Sequence, residues 1–122
     1  MASLGRLLGL SGLQTGSLRN NHSAFLRSQA TVVSNDIIDR MRANRLSALS
    51  GSYNIAIGAG APAGSSIAQT DLREWKNLVA AHLPVGDASA NVNGGTVTVV
   101  VQWDDSRAEG STTQTITVQT EL

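Results

Sequence analysis

The sequence predicts an α+β fold in which one long N-terminal helix packs on a small antiparallel β-sheet together with a short second helix. Three observations predict it. A proline-free stretch with helical apolar spacing runs from about residue 12 to residue 50, a second amphipathic segment ends at Pro84, and two segments in the last third alternate apolar and polar residues. The chain has 122 residues, which suits one domain with a core of its own.

Composition and charge narrow the class of protein. Aromatic residues make up 3% of the chain, so the core must be built mainly from Leu, Ile, Val and Ala. The formal net charge is zero, which argues against a general nucleic-acid binder. Residues 1–50 hold six arginines against two aspartates, whereas residues 51–122 hold three basic and seven acidic side chains. This division suits attraction between neighbours in an assembly, and ordinary solvated charge explains it equally well.

Two classes of feature are missing from the sequence. There are no cysteines, which excludes disulfides and cysteine-bound metal. No apolar run reaches the roughly 18 residues that a membrane-spanning helix needs. Residues 1–17 are therefore interpreted as a residual apolar helix segment behind an engineered start, without the layout of a signal peptide.

The long helix is predicted over residues 18–50. Asp36 and Arg40 have the spacing of a surface pair, and Gly51 offers the left-handed residue that commonly closes a helix. Apolar residues at spacings of four and seven form a helical stripe, predicted to pack partly under the sheet and partly against neighbouring subunits: Leu18, Phe25, Leu26, Val33, Ile37 and Met41.

The predicted helix is too long for its own head. With its N-terminal extension it has roughly 40 residues and would be about 60 Å long. A compact domain of this size has a radius of gyration of about 14 Å. The first half of the helix should therefore project from the head or pack on another chain, and its glycines would weaken it in isolation while permitting close helix contact.

The rest of the head follows in order. Residues 51–70 are small and uncharged and are predicted to form a loop, with a short extended piece at 53–57. A helix is predicted over 71–83, capped by Asp71 with Glu74 reaching back. The sheet is predicted over 88–122, with two clear strands joined by a polar loop at 104–111 and a third strand at 88–92. The predicted head core consists of Trp75, Val79, Val99, Val101, Trp103, Ile116 and Val118.

No motif in the sequence points to catalysis, a cofactor or a small-molecule substrate. His22 and His82 have no oriented partner at a suitable spacing, and no serine lies in a nucleophile elbow. Asp104, Asp105 and Glu109 could offer oxygen ligands to calcium, but a solvated hairpin tip is the favoured interpretation. The two tryptophans fall on the apolar phase of their elements, so core packing is favoured over ligand binding. The chain is predicted to be neither an enzyme nor a cofactor or metal protein.

As a whole the sequence resembles the type IV pilins, and more narrowly the minor pilin family PilV, the type IV pilus modification proteins. The resemblance covers nearly the whole chain and depends on the order of its pieces. Those pieces are Leu7 to Gln14, Leu18 to Asn21, Leu26 to Ala30, Asp39 to Arg45, Asp71 to Trp75, Leu83-Pro84, Val99 to Asp105 and Thr120-Glu121-Leu122.

The resemblance implies a type IV pilin-like fold and a structural role. It implies a prepilin leader and an N-terminal apolar segment with an early Glu, which these 122 residues lack. It also implies a subunit that primes pilus assembly at the fibre tip, with other minor pilins, the major pilin and a tip adhesin as partners. The implied location is the inner membrane with a periplasmic head, and the extracellular pilus after assembly, with roles in adhesion and twitching motility.

Three alternatives remain open from the residues. A minor pseudopilin of type II secretion shares the plan of helix and sheet. A small secreted hydrolase or carbohydrate-binding domain would require a ligand pocket in the head. A membrane-surface helix is suggested by residues 4–13 with Arg6 and Arg19 nearby.

Overall fold

A computed structural model describes residues 4–105 and 112–122, with the backbone alone for residues 4–20. The predicted α+β architecture is confirmed: a long helix packs on a three-stranded antiparallel sheet. The elements are α1 (Leu4–Ala43), α2 (Arg45–Leu49), α3 (Ile67–His82), β1 (Asp87–Asn93), β2 (Thr96–Asp104) and β3 (Thr113–Glu121).

The long helix includes most of the N-terminal extension predicted over residues 1–17, and it ends before the predicted residue 50. It runs for 40 residues from Leu4 to Ala43. Asn44 then interrupts it with φ −131° and ψ 54°, and its side-chain amide donates to the hydroxyl of Tyr53 at 3.2 Å. The five-residue α2 completes the stretch, and Gly51 closes it with a φ of 91° and a hydrogen bond to Ala48 O. The predicted closing glycine is confirmed, whereas the prediction of one unbroken helix is wrong because Asn44 leaves the helical conformation.

The second helix begins four residues before its predicted start at Asp71. Ser66 is the N-cap: its hydroxyl accepts from Gln69 N, and the side chain of Gln69 accepts from Ser66 N. This capping box satisfies main-chain amides of the first turn, so the helix needs no cap at Asp71. The predicted loop 51–70 is correspondingly shorter, and α3 ends at His82, shortly before Pro84.

The sheet has the order β1-β2-β3, with both neighbouring pairs antiparallel. The third strand predicted at 88–92 is confirmed within β1. Gly94 and Gly95 join β1 to β2 with positive φ angles of 58° and 82°, as a two-residue turn between antiparallel strands favours. The extended piece predicted at 53–57 is reduced to one bridge between Ile55 and Ala90, and most of the predicted loop 104–111 lies outside the described residues.

The core lies between α1, α3 and one face of the sheet. Trp75 and Val79 contribute to the core from α3. Alternate residues of β2 contribute to it from the sheet, among them Val99, Val101 and Trp103. Ile116 and Val118 are only half-buried, although they pack against the core, because β3 is an edge strand.

Candidate assembly surface

Apolar residues of α1 lie on two opposite sides of the helix. The side that faces the head is fully covered, and its members are at most 3% exposed. They follow helical spacing and form what is here called the packed stripe: Leu26, Ala30, Val33, Ile37 and Met41. The packed stripe joins α1 to α3 and to the sheet.

The second side carries Phe25 and Val32, here called the exposed stripe. Their exposed fractions are 55% and 58%, although both are large apolar residues. At 100° per residue, positions seven apart lie about 20° apart around the helix, and this pair lies roughly 130° from the middle of the packed stripe. The head of the same chain therefore does not cover the exposed stripe.

The single stripe predicted from the sequence is thus two stripes. The predicted stripe includes both Phe25 and Leu26, but consecutive residues point about 100° apart on a helix, and only Leu26 enters the core. Leu18 occupies the position seven residues before Phe25, and the structure describes its backbone only.

Polar contacts join α1 to the sheet near Phe25. Ser23 Oγ donates to the buried Asp105 carboxylate at 2.6 Å. Arg27 Nη2 donates to Gln114 Oε1 at 3.4 Å, and its guanidinium carbon lies 6.0 Å from the centre of the Trp103 ring. These contacts join α1 to the end of β2 and to β3.

Arg40 joins α1 to α3 through several carboxylates. Its Nε donates to Asp36 at 2.7 Å, which confirms the predicted pair within α1. Its Nη1 donates to Asp71 at 3.1 Å and to Glu74 at 2.8 Å, both on α3. Asp71 also accepts from the hydroxyl of Tyr53 at 2.5 Å. Arg40 thus links the two helices, and its partner Asp71 also binds Tyr53 in the loop after α2.

The same contacts shift two pKa values. Partial burial lowers the pKa of Arg40, but the hydrogen bonds that it donates to Glu74, Asp36 and Asp71, together with the charge of Asp36, outweigh burial and raise that pKa above its ordinary value. Burial raises the pKa of Tyr53 to about 12, and the hydrogen bond to Asp71 adds to the rise. Both groups therefore keep their protons throughout the neutral range.

A buried lysine holds α3 against β1. Lys76 is 7% exposed, and its Nζ donates to Asp87 at 2.6 Å, Ala88 O at 2.7 Å and Ala56 O at 3.1 Å. Burial pushes the pKa of Asp87 upward, but hydrogen bonds from Lys76, Gly58 N and Ala88 N outweigh burial and hold that pKa below its ordinary value. This ion pair is fully partnered, which marks it as a structural contact.

Neither histidine considered for catalysis has an oriented catalytic partner among the described residues. His82 Nδ1 lies 3.0 Å from Leu78 O on the exposed side of α3, and no hydrogen bond joins it to His22 on α1. No group of His, Asp or Glu suited to a metal ion occurs among the described residues, and Glu109 of the possible calcium loop lies outside them. A shallow groove of about 400 Å³ runs along residues 54–56 and 89–91, and no histidine lines it.

No protein-family model matches the chain, and no curated protein or solved structure resembles it significantly. Within the described residues, no helix is both long and apolar enough to cross a membrane.

Sequence reasoning missed Val32 and the links from Arg40 to α3. Val32 had a detectable signal, because it follows Phe25 by seven residues. The contacts of Arg40 with Asp71 and Glu74 had none, since they join residues more than 30 positions apart.

Proposed function

We propose that this chain is a minor pilin subunit of a type IV pilus, which helps to start fibre assembly by packing its long helix against the helices of other subunits. The exposed stripe on α1 carries the proposal. A helix face with two large apolar residues more than half exposed, opposite a face that is fully buried, is a surface suited to another protein. The resemblance of the sequence to the PilV family supplies the kind of partner.

The length of α1 supports the same role. Among the described side chains, the first one on α1 that forms a hydrogen bond with the sheet side of the head is Ser23. The helix starts at Leu4, so roughly 28 Å of it precedes that contact. In the proposed assembly this segment packs beside neighbouring helices, and the exposed stripe continues that packing along the head.

Side-chain contacts join the long helix to the head at several points, which also suits a packing subunit. Ser23 binds Asp105 at one end of the joint and Arg42 Nη2 donates to Glu121 O at 2.8 Å at the other. Arg40 links α1 to α3 on the other side. A neighbour that grips α1 would therefore also set the position of the head.

The proposal is tested in a bacterium that lacks the gene and is complemented with variants of the natural protein. Phe25→Glu and Val32→Glu place a charge on the exposed stripe, and we expect both to reduce the number of surface pili. The matched control is Leu46→Glu, because Leu46 is 83% exposed and apolar but lies on α2. Wild-type pilus numbers in both stripe variants at normal protein levels would refute the proposal. Intact pili with a loss of type II secretion would instead assign the chain to the pseudopilins.

A further inference from the structure

The two outer edges of the sheet differ in whether their outward main-chain groups have hydrogen-bond partners. Ala90 exchanges two main-chain hydrogen bonds with Ile55, so its N–H and C=O groups point away from β2. Because this direction alternates along a strand, the other even-numbered residues of β1 also point their main-chain groups away from β2. Ala88 N donates to the Asp87 side chain, Ala88 O accepts from Lys76, and Val92 N donates to Asn54 Oδ1. This edge is closed by side chains and by the bridge, as natural sheets commonly protect their edges.

The outer edge of β3 is open. The pairing pattern across the sheet points the main-chain groups of Val118 toward β2, so those of Thr115, Thr117 and Gln119 point outward. None of these outward groups has a partner among residues 4–105 and 112–122. Neither proline nor a charged side chain lies between positions 113 and 120, so this edge lacks the usual protection. At its C-terminal end the free edge stops at Glu121, whose carbonyl accepts from Arg42.

The sequence of β3 is chemically symmetric about Thr117. Ile116 and Val118 flank it on the half-buried face, and Thr115 and Gln119 follow on the exposed face. If two copies of β3 run antiparallel with Thr117 opposite Thr117, each apolar residue faces an apolar residue and each polar residue faces a polar one. Because positions 113–120 are uncharged, no like charges face each other along the paired segment.

We propose that the free edge of β3 pairs with β3 of a second copy of this chain, antiparallel and centred on Thr117. The outward groups of Thr115, Thr117 and Gln119 would exchange about six main-chain hydrogen bonds with their counterparts. The two sheets would become one continuous sheet, and Ile116 and Val118 would lose part of their remaining exposure by packing on each other across the boundary. The occupant is a second copy because β3 itself supplies the matching order of uncharged, alternating residues.

This inference is independent of the proposed pilus function. It concerns the edge of the sheet, whereas the proposed function concerns the exposed stripe of α1. Phe25 and Val32 take no part in the strand pairing, so failure of one proposal leaves the other standing.

The test is sedimentation equilibrium of the 122-residue chain over a range of concentrations. We expect a reversible monomer–dimer equilibrium for the unmodified chain. Thr117→Lys and Thr117→Asp each place like charges opposite each other at the centre of the pairing, and each should weaken dimerisation by about fivefold or more. An equimolar mixture of the two variants should recover dimers, because Lys then faces Asp. Mixing the Lys and Asp variants of one position restores association only if that position faces itself across the dimer, as Thr117 does in the proposed pairing.

Asn91→Lys and Asn91→Asp provide the matched controls. Asn91 is exposed on the same outer face of the sheet but belongs to the closed β1 edge, so these variants should dimerise like the unmodified chain. Circular dichroism confirms that each variant is folded. A chain that stays monomeric up to millimolar concentration overturns the proposal, as does a mixture of Thr117 variants that fails to recover dimers. A mixed dimer formed equally well by the Asn91 pair would also overturn it.

Discussion

The indole nitrogen of Trp75 donates a 2.8 Å hydrogen bond to the main-chain carbonyl of Val33, near the middle of the packed stripe of α1. Trp75 is fully buried, so this bond joins α3 to α1 where water cannot replace it. The second tryptophan is arranged differently. The indole nitrogen of Trp103 is buried and has no acceptor among the described residues.

This difference predicts unequal effects of the same substitution. Trp75→Phe removes a satisfied buried donor and ring volume, and we expect it to lower the free energy of unfolding by about 2–4 kcal/mol. Trp103→Phe removes a donor that has no acceptor within residues 4–105 and 112–122, so its cost should be smaller by about 1 kcal/mol. Urea denaturation of both variants measures the difference. An equal or greater loss for Trp103→Phe would contradict the assignment of the buried bond to Trp75.

The carboxylates around Arg40 should also differ in their contributions. Asp71→Ala removes the acceptor of the buried Tyr53 hydroxyl as well as a partner of Arg40, and we expect a loss of about 1–3 kcal/mol. Asp36→Ala leaves Arg40 paired with α3 and should cost under about 0.5 kcal/mol. Both aspartates lie inside helices, so the change in helix propensity is the same for both variants. Equal stabilities of the two variants by denaturant titration would show that Asp71 has no special role.

Tyr53 predicts a loss of stability at high pH. Its folded pKa of about 12 lies above the ordinary value of 10.0, so the stabilisation is complete below pH 10 and is lost as the pH rises from 10 toward 12. The chain has a single tyrosine, so the absorbance of tyrosinate near 295 nm reports this group alone. We expect the ionisation midpoint of the folded chain near pH 12, and Tyr53→Phe should remove the loss of stability between pH 10 and 12. An ordinary midpoint in the folded protein would refute the buried contact with Asp71.

In the turn after α3, Val85 has a backbone conformation that favours glycine, and its neighbour Gly86 has no room for a larger side chain. Val85 has a φ of 49°, a left-handed conformation that is unfavourable for a β-branched residue, and it is 84% exposed. Val85→Gly should therefore stabilise the fold by about 1 kcal/mol. A Cβ on Gly86 would lie 2.7 Å from Leu83 Cβ and 2.8 Å from Val79 O. Gly86→Ala should destabilise the fold by about 1–3 kcal/mol.

Thermal unfolding of the two variants measures both effects with opposite signs. A Val85→Gly variant less stable than the unmodified chain would contradict the strained turn. An unchanged melting temperature for Gly86→Ala would contradict the close packing at Gly86.

The sequence predicts the architecture well where periodicity is strong. The alternation in β2 and the helical spacing of Val33, Ile37 and Met41 each predict one buried face. In the structure, the residues on these faces are buried. The boundaries were less predictable because several residues could cap α3. Asp71 and Ser66 both begin capping-box patterns, and only the fold shows that Asp71 is engaged by Tyr53 and Arg40.

For the candidate surface, the sequence predicts which residues of α1 form apolar stripes but not which of them the head covers. Apolar spacing marks which residues of α1 are apolar but does not assign them to one partner. Phe25 and Leu26 fit the same spacing pattern, and their separation into an exposed and a packed stripe follows from where α3 and the sheet contact the helix. Contacts between residues distant in sequence, such as Ser23 with Asp105, leave no periodic trace at all.

The most direct test of the central claim is cross-linking of the exposed stripe in living cells. The 122 residues contain no cysteine, so Val32→Cys introduces a single reactive group on the stripe, and Leu46→Cys is the matched exposed control on α2. With a short thiol–amine cross-linker, we predict adducts of Val32→Cys with pilin-like subunits that carry a long N-terminal helix, identified by mass spectrometry. Leu46→Cys should give few of them. Absence of such adducts from Val32→Cys, or equal yields from the two positions, would contradict the claim that this face of α1 is the assembly surface.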